Sequence, residues 1–113
     1  MRISEKKAVE DPTLRKCRKL WPGLMHRKMN GMGFRSWPDQ MFMIPGGKPF
    51  YIEFKSPGEV PTTQQAEMIE RMKGDGYDVE IHDDKDQAVE AIRARMQAYL
   101  RDATRNVRGP KAR

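Results

Sequence analysis

Apolar residues recur at helical spacing through residues 4–20, where Ala8, Val9, Leu14, Cys17 and Leu20 fall toward one side. Asp11-Pro12 interrupts the pattern as an N-cap and first-turn proline would, so the helix is expected to kink or restart there. Trp21-Pro22-Gly23 ends it. Residues 24–29 follow as a short strand. Asn30-Gly31-Met32-Gly33 reads as a loop, because three of those four residues tolerate positive φ. Met41-Phe42-Met43-Ile44 has the length of a buried strand, and Pro45-Gly46-Gly47-Lys48 has turn chemistry. From Phe50 to Lys55 the chain alternates, with Ile52 and Phe54 on one face and Tyr51, Glu53 and Lys55 on the other. The two strands make a β-hairpin over roughly residues 39–55. Pro57-Gly58 stops the second strand. Thr62 or Thr63 caps a helix of about twelve residues, with Ala66, Ile69 and Met72 on its apolar face and Gly74 or Gly76 at its end. Tyr77 to Ile81 alternates as a strand. From Asp83 to about Asp102 a last helix carries Ala88, Ile92, Met96, Tyr99 and Leu100 at helical spacing.

The order helix, strand, hairpin, helix, strand, helix predicts an α/β fold: a small mixed β-sheet with a central hairpin, flanked by helices. At 113 residues the chain has room for one core. Residues 1–104 are expected to form a single domain, and residues 105–113 a basic, mobile tail. The composition is polar, 37% hydrophobic against 34% charged, but two Trp, four Phe and three Tyr argue against full disorder. The longest apolar run is the four residues from Met41 to Ile44, too short for a transmembrane helix or a signal-peptide core. A single Cys excludes an intrachain disulfide and a Cys-based zinc site, and suits a reducing, cytoplasmic setting.

Charge is unevenly spread. Residues 1–58 carry 12 basic and 5 acidic groups, residues 59–100 carry 5 and 10, and residues 101–113 carry 5 and 1. A basic front half in a chain of net charge +6 points to a polyanion, most often nucleic acid, although solubility alone can account for such a charge. Arg15, Lys16, Arg18 and Lys19 either solvate the first helix or contact phosphates. His26 and His82 share no metal-ligand spacing, and Cys17 reads as packing. Trp37 could stack on a base or anchor the loop ahead of Asp39.

Glu53 and Lys55 are the unusual pair. They lie on a strand that also carries Phe50, Ile52 and Phe54 and pairs with an apolar partner, so it reads as central; charge placed there needs a reason. The turn brings Asp39 back beside residues 53–55. The pairing register stays open, since a slip by one residue would flip the faces. A bulge, or an Asp39 just outside the regular strand, would remove that difficulty. Two carboxylates held close repel each other, and a divalent cation resolves the repulsion. Mg²⁺ or Mn²⁺ fits hard oxygen ligands, with the Phe54 carbonyl as a further one. Such an ion acidifies bound water and stabilises charge on a phosphodiester, while Lys55 can orient that water.

Asp39 preceded by Pro38, thirteen intervening residues, then Glu53-Phe54-Lys55 is similar to the PD-(D/E)xK nuclease signature. Ser36-Trp37-Pro38-Asp39, an apolar strand, Pro-Gly-Gly-Lys, then Tyr51-Ile52-Glu53-Phe54-Lys55-Ser56-Pro57-Gly58 resembles the virus-type replication–repair nuclease (VRR-NUC) family, as a small stand-alone, phage-like member. The family pattern continues with a Gln opening the next helix, matched by Gln65 with Gln64 as competitor, and with a Glu in the first helix, matched by Glu5 with Glu10 as alternative. The resemblance covers about residues 4–82. It implies a restriction-endonuclease-like core and a metal-dependent DNA endonuclease, with Glu5, Asp39, Glu53, Lys55 and Gln65 at the catalytic centre. Asp39 and Glu53 would hold the metal and Lys55 would serve the hydrolytic water. It further implies branched DNA such as a Holliday junction as substrate, and a homodimer as the working unit. The competing reading is a non-catalytic basic DNA-binding or architectural module, which would have no need of acidic groups where phosphates approach.

Overall fold

The structure is a computed structural model that describes residues 6–29 and 36–108, with side chains described through residue 104. Among the described residues the chain forms α1 (Lys7–Leu20), β1 (Met25–Lys28), β2 (Gln40–Met43), β3 (Phe50–Phe54), α2 (Thr63–Gly74), β4 (Asp78–His82) and α3 (Lys85–Arg108). The strands form one sheet in the order β1-β2-β3-β4. β1, β2 and β3 are antiparallel neighbours, and β4 runs parallel to β3, reached through the α2 crossover. This is the mixed α/β sheet flanked by helices that the sequence pattern predicts.

β3 lies inside the sheet and all five of its residues are buried. On one face Phe50, Ile52 and Phe54 join Phe42 and Ile44 from the hairpin, Val9 and Cys17 from α1, and Ala88 and Ile92 from α3. On the other face Tyr51 packs with Ile69 and Met72 of α2 and with Val79 of β4. A helix layer therefore covers each side, and the alternation along β3 sorts its apolar residues between two cores.

The hairpin connection needs glycine at one point in particular. Gly46 has φ +97°, and a Cβ there would come 3.2 Å from the Tyr99 ring, because α3 packs directly on the turn. Thr62 rather than Thr63 caps α2: its hydroxyl accepts from the Gln65 backbone N–H while the Gln65 side chain accepts from the Thr62 N–H, a complete capping box.

Two expectations change. α1 runs unbroken from Lys7 to Leu20 with Pro12 inside it, so Asp11 is a helix residue and not a cap. The proline removes one backbone donor. Val9 and Glu10 before it, and Thr13 and Cys17 after it, are buried on the same side, and this packing holds the helix together across the gap. α3 continues to Arg108, six residues beyond the expected end and into the segment assigned to a mobile tail. The apolar stripe of α3 is spent mainly within the chain. Ala88 and Ile92 are fully buried, Met96 and Tyr99 pack against the same core, and Leu100 is exposed.

Candidate active site

The β2–β3 register pairs Gln40 with Ile52 and Met41 with Tyr51; one step further sets Asp39 across from Glu53. Asp39 stands immediately ahead of β2, so the open register is resolved with the acid just outside the regular strand. Its backbone carbonyl accepts from Met29 N–H at 2.7 Å, and its Oδ2 accepts from the Phe54 N–H at 2.8 Å. The main chains of both neighbouring strands thus fix its position. Glu53 lies within β3, and both acids are buried, with relative exposures of 0% and 1%.

Two carboxylates out of water this close together need compensating charge. Two ammonium groups supply it. Lys6 Nζ lies 2.6 Å from Asp39 Oδ1 and 3.8 Å from Glu53 Oε2. Lys55 Nζ lies 3.3 Å from Glu53 Oε2. Gln65 ties the group to α2: its Nε2 donates to Glu53 Oε2 at 3.1 Å, and its Oε1 accepts from Lys55 Nζ at 2.6 Å and from Thr62 N at 3.0 Å. The Lys55 N–H in turn donates to the His82 carbonyl at 3.0 Å, continuing the β3–β4 ladder. Burial first, and the neighbouring Asp39 charge second, push the Glu53 carboxyl up to about 7, while Lys6 and Lys55 pull the other way. Burial alone would lower the Lys6 pKa; its hydrogen bond to Asp39 and the nearby acids outweigh that and raise it.

Asp39, Glu53, Lys55 and Gln65 therefore meet at one point, brought there by a hairpin and a helix cap. Gln64, the competitor of Gln65, is exposed and lines a shallow groove with Ser36, Glu67, Met68 and Arg71. Glu5 lies outside the described residues. Glu10, its alternative, belongs to a different cluster. Its Oε2 accepts from Gln40 Nε2 at 2.7 Å and from Lys28 Nζ at 3.2 Å, on the face of the sheet that Gln40 shares with Ile52. His26 adjoins this cluster at 3.2 Å from Gln40 Oε1. Trp37, two residues ahead of Asp39, lines a cavity of about 320 Å³ together with Tyr51, Met68, Met72 and Tyr77.

Among the described residues, Lys6 is the site residue that sequence reasoning does not supply. It is part of the run Glu5-Lys6-Lys7, in which nothing but the fold distinguishes one lysine from the next. Among the described residues no three His, Cys, Asp or Glu side chains converge on one point. The donor set at this site is a pair of buried carboxylates already bridged by an ammonium, so the space between them accepts positive charge. Hard oxygen donors without imidazole or thiolate suit Mg²⁺ or Mn²⁺ better than zinc. On those grounds the residues present fit a divalent ion.

No family model matches the sequence. A curated protein named "Putative nuclease p44", from Acyrthosiphon pisum secondary endosymbiont phage 1, is 31% identical over 86 residues, covering 76% of this chain and 90% of that protein. A solved structure described as "VRR_NUC domain" superposes with a TM-score of 0.68 at 22% identity, over 80% of this chain and 97% of its own. At that identity the second likeness is one of fold.

Proposed function

The chain belongs to the VRR-NUC nuclease family, and from that premise we propose that it is a metal-dependent endonuclease that hydrolyses phosphodiester bonds in DNA. The observation that carries the reading is the buried pair Asp39 and Glu53, set face to face and balanced by two ammonium groups. Two buried, adjacent acids cost a small domain stability, a cost that a catalytic use accounts for.

Asp39 and Glu53, with the Phe54 carbonyl, would hold Mg²⁺ or Mn²⁺. When bound, the ion supplies an acidified water and stabilisation of charge on the phosphodiester. The chain's own groups do the rest. The Lys55 ammonium, held by Glu53 and Gln65, orients the hydrolytic water and offsets phosphate charge. Gln65 keeps Glu53 and Lys55 in place from the first turn of α2. Glu5 is assigned to the same centre from the family pattern. The exposed Arg15, Lys16, Arg18 and Lys19 of α1 contact DNA phosphates and supply affinity without sequence preference. Apart from Gln65, the acidic segment 59–100 faces away from the DNA or toward another chain.

The proposal extends to branched DNA as substrate, to action inside the cell, and to a homodimer whose two sites act on opposite strands. Among the described residues no helix is long and apolar enough to cross a membrane. Met25 and Met43, paired across β1 and β2 and both exposed, offer an apolar contact for a second copy. Light scattering alongside activity tests the dimer; full activity at the monomer mass of 13.2 kDa overturns it.

The test of the main reading is a cleavage panel of single strand, duplex, flap and four-way junction, with Mg²⁺, Mn²⁺ or EDTA. Cleavage that requires the ion and is lost in Asp39→Asn and Glu53→Gln is the expected result. Binding of all four DNAs with no cleavage under any metal would instead establish the non-catalytic DNA-binding module.

A further inference from the structure

We propose that Lys6 is the resident counter-ion of the metal-free site and competes with the divalent ion for the oxygens of Asp39 and Glu53, so that ion entry and Lys6 withdrawal are one event. This rests on the metal reading above and adds to it a control on when the site loads.

The two lysines at the site are held differently. Lys55 is 6% exposed, continues the β3 backbone ladder, and is gripped by both Glu53 and Gln65. It has neither slack nor a route out. Lys6 has its backbone fixed and its side chain free to move. Its carbonyl accepts from the Val9 and Glu10 N–H groups, each at 3.0 Å, so the first turn of α1 anchors its Cα. Val9 and Glu10 are buried and pin that turn to the protein. The Lys6 side chain is 29% exposed, and a four-carbon stem can swing its ammonium from the carboxylates into water without disturbing the helix.

Charge accounting makes the withdrawal necessary. Among the described residues, ionised Asp39 and Glu53 are matched one for one by Lys6 and Lys55. A divalent ion added to that set leaves a buried surplus of two positive charges, which is costly without anions to match. The ammonium on Asp39 Oδ1 also takes the lone pairs that an ion would need. Removing Lys6 from the carboxylates relieves both problems. A substrate phosphate relieves the first as well, and the displaced ammonium, still tethered beside the site, can pair with it. Metal is therefore expected to bind weakly to the free protein and more tightly when DNA is present.

The test is a titration of the metal-free, full-length chain with Mn²⁺ alone, without DNA, followed by calorimetry and by the electron paramagnetic resonance of free Mn²⁺. Wild type is compared with Lys6→Met, Lys6→Gln and Asp39→Asn. Both Lys6 variants should bind Mn²⁺ at least about tenfold more tightly than wild type, and Lys6→Met should melt at a lower temperature than wild type in EDTA. An ordinary structural lysine would give the opposite sign, since damage to the site weakens binding. Lys6→Gln keeps a donor for Asp39 without the charge, and decides the matter if Lys6→Met does not fold. Mn²⁺ affinity in the Lys6 variants equal to or weaker than wild type, with binding lost in Asp39→Asn, overturns the role of Lys6 and leaves the metal reading standing. Mn²⁺ binding absent throughout, or unaffected by Asp39→Asn, overturns the metal reading and the role of Lys6 with it.

Discussion

Gln65 serves the helix and the site at once, and the two roles can be separated. Its Oε1 accepts from the Thr62 N–H and from Lys55 Nζ, and its Nε2 donates to Glu53 Oε2. Gln65→Ala removes all three bonds but leaves the Thr62 hydroxyl on the residue-65 backbone N–H, so about half of the capping box survives. The lost half costs ~0.5–1 kcal/mol. Each of the two bonds to a charged, buried partner is worth ~1.5–3 kcal/mol. The low end applies, because Lys55 and Glu53, 3.3 Å apart, can close on each other. The expected loss is about 3.5–4 kcal/mol, or about 15 °C in Tm for a chain of this size. Thr62→Ala removes the other half of the box, costs ~1 kcal/mol, and touches neither Glu53 nor Lys55. Urea unfolding in EDTA measures both, with cleavage of a fixed DNA substrate under saturating Mg²⁺ as the second readout. Gln65→Ala should lower kcat by ~10–100-fold through misplacement of Lys55 and Glu53, and Thr62→Ala by less than about twofold. If Thr62→Ala slows cleavage as much as Gln65→Ala, the glutamine acts only by starting α2. If the two variants are equally stable, the buried charges do not depend on it.

Glu53→Gln should abolish cleavage while leaving metal-free DNA binding within a few-fold of wild type, and that binding should fall steeply with salt, as anisotropy titrations will show; equal loss of binding and cleavage contradicts the split between catalytic acids and basic surface. Cys17 is 2% exposed and burial pushes its thiol up to about 11, so native protein at pH 8 should react with a disulfide reagent only as fast as it unfolds; reaction at the rate of a free thiol refutes this burial. Arg95 stacks 3.7 Å over the Phe50 ring and pairs with Asp78 and Glu80 at 2.8 Å. Although burial alone would raise the Glu80 carboxyl, hydrogen bonds from His82 and Arg95 hold it below its ordinary value. The Arg95–Glu80 contribution is thus present above the unfolded carboxylate pKa and is lost as pH falls through the depressed folded one. Arg95→Met should cost ~1 kcal/mol at pH 7, after allowing for solvent screening, and less at pH 3; a gap that does not change with pH excludes the ion pair as its source.

Much of this architecture is written in short-range pattern. The alternation through Phe50 to Lys55, the glycine turn at residues 45–48 and the threonine pair at the start of α2 define the hairpin and the cap that gather Asp39, Glu53, Lys55 and Gln65. The relation of Asp39 to Glu53 is harder to read, because strand patterns specify faces and leave register to turn geometry. Here Asp39 resolves it by standing one residue outside β2, bonded to the Phe54 N–H. Pro12 misleads for a different reason. The local rule that proline ends a helix counts one lost backbone bond, whereas burial on both sides of Pro12 is a tertiary quantity that no window of sequence contains. The α3 stripe is likewise visible as a stripe, but only packing shows that Ala88 and Ile92 cover the chain's own sheet.

Lys6 marks the limit of such reading and explains why a site of opposed charges tolerates burial. Its place is set by where α1 begins relative to a hairpin 33 residues further on, a distance no local motif spans. In sequence Asp39 and Glu53 read as a pair in need of a cation, and the folded chain supplies one of its own. A protein that had to wait for metal to neutralise these acids would be weakest whenever metal was scarce. With Lys6 in place the metal-free fold is balanced, and the cost of removing it falls on metal binding. A substrate phosphate can reduce that cost by pairing with the displaced ammonium. Under the proposal for Lys6, loading of the ion is coupled to the presence of DNA through a single flexible side chain.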